Sequence, residues 1–272
     1  VGVSGAGLEN VNLEEATANN IMVFNVQGRN AEAVSDFVIG LMLSEIRNIG
    51  RAFVSIKNGE WRKQFFNSSK IPEMKNKNVG IIGFGHIGRL VAKKLSGFNV
   101  KIYVYDPFVT SSDVAEYGGI LVDKDELFKI SDFVTIHARL TEKTRHLVGR
   151  RELGLMKPTA FLFNTARAGL IDQSALEEAL SEGKILGAGL DVFPTEPIPS
   201  GSKILELDNV TLTTHIAGTT SDALTNSPFL LMEDIAKLLD EQKPHFLVNP
   251  EVLDSEICRE WLGNIKNFML KG

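Results

Sequence analysis

One feature limits the fold of this chain more than any other: the glycine triplet Gly83-Phe84-Gly85-His86-Ile87-Gly88, set between two kinds of pattern. Ahead of it stands the short apolar run Val79-Gly80-Ile81-Ile82. Behind it, Ile87, Leu90, Val91 and Leu95 recur at helical spacing, with Arg89, Lys93 and Lys94 on the opposite face. A buried strand that turns sharply into a helix needs these glycines. The first permits the tight turn, the second lets backbone approach an anion closely, and the third lets helix pack on strand. The helix start then offers free N–H groups and the positive end of the helix dipole to a phosphate. The next β-rich run, Lys101 to Tyr105, ends at Asp106. A carboxylate there can accept bonds from ribose hydroxyls and repels a 2′-phosphate, so the pattern points to a dinucleotide and favours NAD over NADP.

The rest of the central chain repeats the same alternation. Helical stretches are expected at Asp125 to Ile130, at Arg151 to Met156 (stopped by Lys157-Pro158), and at Ser174 to Ser181, with Ser174 as N-cap and Glu177 three residues on. Apolar strands are expected at Asp132 to Ile136, Ala160 to Asn164, Leu186 to Val192 and Val210 to Thr214. Strand and helix in alternation, with strands apolar on both faces, predict an α/β fold with a doubly wound parallel sheet.

The flanks read differently. A glycine-rich start leads to a short helix (Asn12 to Asn19) and the apolar run Ile21 to Phe24. Ala31 to Ser55 forms one long apolar helical region, Asp222 to Glu241 a long amphipathic helix, and Val252 to Gly272 a weakly helical, mobile tail. The 272 residues suffice for one large or two medium domains. A charge of −5 without any Lys/Arg block argues against nucleic acid. No apolar run approaches the roughly 18 residues of a membrane helix. The lone cysteine, Cys258, excludes an internal disulfide and fits a reducing, cytoplasmic setting. No metal-ligating pattern is read.

Ligands of doubly wound sheets sit beyond the carboxyl ends of the strands. Three polar residues fall there behind successive strands: Arg167 after Asn164-Thr165-Ala166, Glu196 in Asp191-Val192-Phe193-Pro194-Thr195-Glu196-Pro197, and His215 after Thr213-Thr214. Arg167 offers a planar, permanently charged fork for a carboxylate. An imidazole changes charge near neutral pH, so His215 can give or take a proton. Glu196 can hold that imidazole and favour its charged form. Taken singly, each could be an ordinary surface or structural residue; together, behind a dinucleotide loop, they form a hydride-transfer site for a 2-hydroxy or 2-keto acid. His137 reads as structural or cofactor-lining, and His146 and His245 as surface residues.

The ordered motifs resemble the D-isomer-specific 2-hydroxyacid dehydrogenases, and within them the phosphoglycerate-dehydrogenase branch. They are Gly5-Ala6-Gly7-Leu8-Glu9-Asn10, Asn30-Ala31-Glu32-Ala33-Val34, Gly83 to Gly88, Tyr105-Asp106-Pro107, His137-Ala138-Arg139-Leu140-Thr141, Met156-Lys157-Pro158, Asn164 to Gly169, Asp191 to Pro197, and His215 to Gly218. The resemblance implies a Rossmann cofactor domain (residues 27–220) inserted into a smaller, here incomplete, flavodoxin-like substrate domain (1–26 and 221–254), with a tail at 255–272. It implies catalysis by Arg167, Glu196 and His215. Cofactor contacts are implied for Ala6, Gly83, Gly85, His86, Ile87, Gly88, Asp106, His137, Ala138, Arg139, Thr144, Thr165, Ala166, Arg167, Asp191, His215, Ala217 and Gly218. Substrate contacts are implied for Gly5, Ala6, Gly7, Arg167 and His215. A homodimer built on the Ala31 to Ile46 helix is implied too, and accounts for that helix's apolar richness.

The implied reaction is NAD-dependent interconversion of a D-2-hydroxy acid and its 2-keto acid. The alternatives are a glyoxylate/hydroxypyruvate reductase and an NADH-sensing, corepressor-like binding protein. Two departures from the family pattern stand out. Further β/α units are expected ahead of Val1. The loop from Val3 to Leu8 lacks an arginine that commonly helps grip an anionic substrate, which puts a phosphorylated substrate in doubt.

Overall fold

The computed structural model describes residues 1–3, 8 and 10–269, with the side chains of 266–269 excepted. The chain forms two compact units, one of Val1–Asn30 with Thr219–Gly272 and one of Ala31–Gly218.

The first unit opens with β1 (Gly2–Val3), α1 (Leu13–Ala18) and β2 (Phe24–Asn25). β1 and β2 pair in parallel, Gly2 against Phe24 and Val3 against Asn25. The Asn12 side chain accepts the Glu15 N–H and so caps α1.

The second unit runs α2 (Ala31–Ile46), α3 (Ile49–Lys57), β3 (Asn78–Ile82), α4 (His86–Leu95), β4 (Lys101–Tyr105), α5 (Ser111–Ala115), β5 (Gly119–Leu121) and α6 (Lys124–Ile130). It continues with β6 (Phe133–Ile136), α7 (Arg150–Leu155), β7 (Phe161–Asn164), α8 (Gln173–Ser181), β8 (Gly187–Leu190) and β9 (Val210–Leu212). The chain then returns to the first unit with α9 (Ser221–Leu239) and α10 (Glu256–Met269). There the buried Asn249 accepts the Val23 N–H and donates to Thr17 Oγ1 and the Ile21 carbonyl. Among the described residues, no helix is long and apolar enough to cross a membrane.

The seven strands of the second unit are all parallel, in the order β5-β4-β3-β6-β7-β8-β9. The order reverses between β3 and β6, which makes a crevice at the carboxyl edge. Ile82 lies opposite Tyr105 on one side and Ile136 on the other. Gly83, Asp106 and His137 therefore leave the sheet side by side. Alternate side chains of these strands feed two cores. Ile82, Val134, Ile136, Leu162 and Leu190 pack with α6, α7 and α8 on one face; Val79, Ile81, Phe133, Phe161 and Phe163 pack with α2 and α4 on the other. This is the doubly wound sheet expected from the apolar strands.

Several local features differ from the sequence reading. The expected single helix from Ala31 to Ser55 breaks at Asn48, which takes the left-handed conformation (φ 58°) and donates from its buried amide to Asn67 Oδ1 at 2.7 Å. The apolar side of α2 faces the sheet: Val34, Val38, Leu41, Met42 and Ile46 belong to the core. Packing against the core accounts for these five apolar side chains. The cap of α8 is Asp172, whose carboxylate accepts the Ser174 and Ala175 N–H groups, and not Ser174. The expected mobile tail carries the helix α10. The sequence reading also had no counterpart for α5 and β5; α5 starts at a capping box between Thr110 and Asp113.

At the α2–α3 corner, Glu45 is fully buried and accepts two bonds from Arg51 Nη2 (3.0 and 2.8 Å) and one from Thr211 Oγ1 (2.6 Å). Burial raises its pKa, against the opposing pull of Arg51 and Thr211. The network ties the corner to β9.

Candidate active site

All the polar groups described here belong to the second unit. The glycine loop is built by close approach. Gly83 has φ +89°, and a Cβ there would lie 2.5 Å from the Ala138 backbone nitrogen. A Cβ on Gly88 would lie 2.3 Å from the Gly83 carbonyl oxygen. Neither position admits another residue without displacing backbone. Gly85, the N-cap of α4, has nothing within 4 Å of its Cβ position and supplies no side-chain cap. The first N–H groups of α4 are thus left without a side-chain cap, as an anion site requires.

Asp106 is half-buried beside this loop. Its two oxygens accept the Phe84 N–H (2.7 Å) and the Phe108 N–H (2.9 Å). A carboxylate has about four acceptor positions, so Asp106 can brace the loop and still take a ribose hydroxyl. His86 is exposed at the helix start, and Ile87 packs against the core.

Behind β6, His137 is half-buried and its Nε2 meets Thr135 Oγ1 at 3.0 Å. Burial pushes its pKa down to about 3, so the ring is neutral at physiological pH. Among the described residues its buried Nδ1 has no hydrogen-bond partner, and neither has the buried Thr165 Oγ1 behind β7. Buried polar atoms without partners are uncommon and call for an explanation. Two of them at the edge that carries the open helix start fit a dinucleotide, whose ribose and amide groups bond well to such atoms.

Asn164 ends β7 and shapes the turn that follows. It is buried, donates to the Arg167 carbonyl (2.9 Å) and accepts the Ala166 N–H (3.0 Å). Arg167 is half-buried and donates from Nη1 to the Ala166 carbonyl at 2.8 Å. Glu196 Oε1 accepts the Phe193 N–H at 2.9 Å, and its Oε2 meets His215 Nδ1 at 2.7 Å. Burial alone would raise the Glu196 pKa. The hydrogen bonds from His215 and from the Phe193 N–H, with the charges of His215 and Arg167, outweigh it and hold the carboxyl below its usual value. An ionised carboxylate only accepts, so Nδ1 of His215 carries the hydrogen and Nε2 is left for an outside group.

His215 itself has φ 57°. A non-glycine residue in that region costs on the order of 1–2 kcal/mol and persists where its surroundings impose it. The surroundings here are Asp191, fully buried at the end of β8. Its Oδ1 accepts Thr213 Oγ1 (2.6 Å) and the Ile216 N–H (3.0 Å), and its Oδ2 accepts the Ala217 N–H (2.8 Å). Asp191 therefore holds the turn on both sides of His215.

The sequence-derived residues thus fall into groups. Gly83, Gly85, Gly88, Asp106, His137 and Ala138 lie around the glycine loop. Thr165, Ala166 and Arg167 share one turn. Glu196, His215 and the buried Ala217 with Gly218 form another cluster, joined to Arg167 by charge. Thr144 instead closes its own loop, donating to the Arg139 carbonyl (2.7 Å) and accepting the Thr141 N–H (2.8 Å). Gly5, Ala6 and Gly7 lie outside the described residues. Asn164 and Thr213 were not among the expected site residues; their effect runs through backbone groups that no spacing reveals. Among the described residues, no three His, Cys, Asp or Glu side chains are grouped to hold a metal.

Residues 39–217 match the family model described as D-isomer specific 2-hydroxyacid dehydrogenase, NAD binding domain. The chain is 41% identical over 272 residues to a D-3-phosphoglycerate dehydrogenase of Methanocaldococcus jannaschii, covering 99% of this chain but 50% of that protein. It is 43% identical over 240 residues to a hydroxypyruvate reductase of Thermotoga maritima, covering 87% of this chain and 76% of that one. The fold is similar to the crystal structure of a D-lactate dehydrogenase with NAD+ from Lactobacillus jensenii (TM-score 0.78, 28% identity, 90% of this chain, 77% of the other). The chain therefore spans half the length of one curated relative and about three-quarters of another. On the glycine loop, the Arg167, Glu196 and His215 set and these matches, the chain belongs to the D-isomer specific 2-hydroxyacid dehydrogenase family and carries its NAD-binding domain.

Proposed function

We propose that this chain is an NAD-dependent oxidoreductase that interconverts a small D-2-hydroxy acid and its 2-keto acid. One observation carries the reading: a histidine held by a carboxylate on one nitrogen, in a strained backbone conformation braced by a buried aspartate, near an arginine and on the sheet edge that bears the open glycine loop. Bound nicotinamide supplies the hydride at C2, or accepts it in the reverse direction. Arg167 grips the substrate carboxylate and fixes the carbon to be reduced. His215 delivers a proton from Nε2 to the carbonyl oxygen, or removes it from the hydroxyl. Glu196 keeps the imidazole oriented by accepting its Nδ1 hydrogen. Asp191 keeps the turn in place. Gly83 to Gly88, Asp106 and Thr165 hold the dinucleotide.

The unit Ala31–Gly218 is then the cofactor domain, and the other unit contributes to the substrate domain. The curated relatives point to glyoxylate, hydroxypyruvate and 3-phosphohydroxypyruvate as the acids to try. A homodimer is part of the proposal. It is supported by the apolar side chains that α3 presents at its surface (Ile49, Phe53, Val54 and Ile56) and by Trp61 beyond them, 77% exposed. Patches of this kind mark interfaces. A cytoplasmic site is proposed with it, supported by the free thiol of Cys258.

The test is NADH consumption with these three acids. His215→Asn is expected to lower kcat by about 10²–10⁴-fold and to leave the NADH Kd within about twofold. Parallel losses in both would make the histidine structural and sink the reading. Light scattering should give twice the chain mass, and Phe53→Glu should reduce it towards one.

A further inference from the structure

Among the described residues, Arg139 on the loop that follows β6 is exposed and makes no ion pair, whereas Arg51, Arg89, Arg145, Arg150 and Arg151 each face a carboxylate. Glu142, the carboxylate of its own loop, is taken by Arg145 at 3.1 Å. The backbone on either side is fixed. Ala138 packs against Gly83 so tightly that a Cβ on that glycine would meet it at 2.5 Å. Leu140 packs against Gly169, at 3.0 Å from the Cβ position there, and the His146 N–H donates to the Gly169 carbonyl at 2.8 Å. Thr144 closes the loop through the Arg139 carbonyl itself. Residue 139 is thereby held between the first turn of the glycine loop and the turn that carries Arg167.

We infer that Arg139 is an anion-binding residue of this site, whose guanidinium takes phosphate oxygens. Resting on the function proposed above, it adds a phosphate-recognition element to that site. A planar guanidinium fork binds phosphate bidentately and forms stronger bonds than a neutral donor. The glycine loop itself, Gly83 to Gly88, carries no permanently charged side chain, so a guanidinium beside it adds a fixed positive charge to its backbone N–H groups. The phosphate can belong to the dinucleotide's pyrophosphate or to a phosphorylated 2-keto acid.

The experiment compares the protein with Arg139→Gln and Arg139→Lys, all checked for folding by circular dichroism. Its readouts are the Kd values of inorganic pyrophosphate, ADP-ribose and NADH, and the ratio of kcat/KM for 3-phosphohydroxypyruvate over glyoxylate. If Arg139 serves the cofactor, Gln weakens pyrophosphate, ADP-ribose and NADH about tenfold, and Lys recovers part of the loss. If it serves the substrate, those three Kd values hold while the kcat/KM ratio falls about tenfold. Dinucleotide binding and substrate ratio both unchanged in the Gln variant overturn the inference and leave the dehydrogenase reading standing. Arg139-dependent pyrophosphate binding with no acid turned over supports the inference and sinks that reading. A wild-type protein that binds none of the three ligands overturns both.

Discussion

Acidification offers a test of His137 that needs no substrate. Its imidazole is held neutral in the folded protein, with a pKa of about 3 set by burial. In the unfolded chain a histidine titrates near 6.5. Between those values the unfolded state takes up a proton that the folded state does not, so unfolding becomes easier as the pH falls. The stabilisation is complete above about pH 6.5 and is lost progressively below it, at about 1.4 kcal/mol per pH unit. From pH 7.5 to pH 5.0 this amounts to about 2 kcal/mol from this residue. Other groups titrate over the same range, so the quantity to measure is a difference. Urea unfolding of the wild-type protein and of His137→Gln, followed across that range, isolates the imidazole. The wild-type advantage should shrink by about 2 kcal/mol between pH 7.5 and pH 5.0. A difference that stays flat with pH would refute the claim that the ring is held neutral by burial.

Three further outcomes are expected. Asp191→Asn replaces an acceptor of three hydrogen bonds by a group that must point a donor at one of the Ile216 or Ala217 N–H groups; stability should fall by about 2 kcal/mol in urea unfolding, and kcat should fall further than NADH affinity. Glu196→Gln removes the carboxylate that accepts the His215 Nδ1 hydrogen and orients the ring, so steady-state kcat for keto-acid reduction should fall while the NADH Kd holds. Arg51→Met leaves Glu45 buried without its cation, and should lower the unfolding free energy by about 3 kcal/mol at neutral pH, with a smaller loss when Glu45→Gln is added.

The strand, glycine turn and helix from β3 to α4 were legible because local periodicity and glycine chemistry dictate them directly. The parallel sheet followed, since strands apolar on both faces need cover on both sides. Other features depend on tertiary partners. The break between α2 and α3 turns on Asn48, whose side chain bonds to Asn67, 19 residues further on and outside any helical spacing. The cap of α8 was misread because Ser174 with Glu177 imitates a capping box while Asp172, two residues earlier, makes the bonds. Arg167, Glu196 and His215 could be picked out by residue type at strand ends. The bracing of His215 by Asp191 could not, because it runs through backbone N–H groups and a positive φ. The surface of α3 was hidden for a related reason: composition marks α2 as the more apolar helix, but the sheet covers its apolar side.

Transfer of label tests the central claim most directly. The protein is incubated with NADH carrying deuterium at the transferable position and with hydroxypyruvate, and the product is examined by mass spectrometry and chiral separation. The account predicts deuterium at C2 of a D-2-hydroxy acid, with at least about 100-fold less of it from His215→Asn. NADH binding without labelled product, or label in the L-isomer, would contradict it.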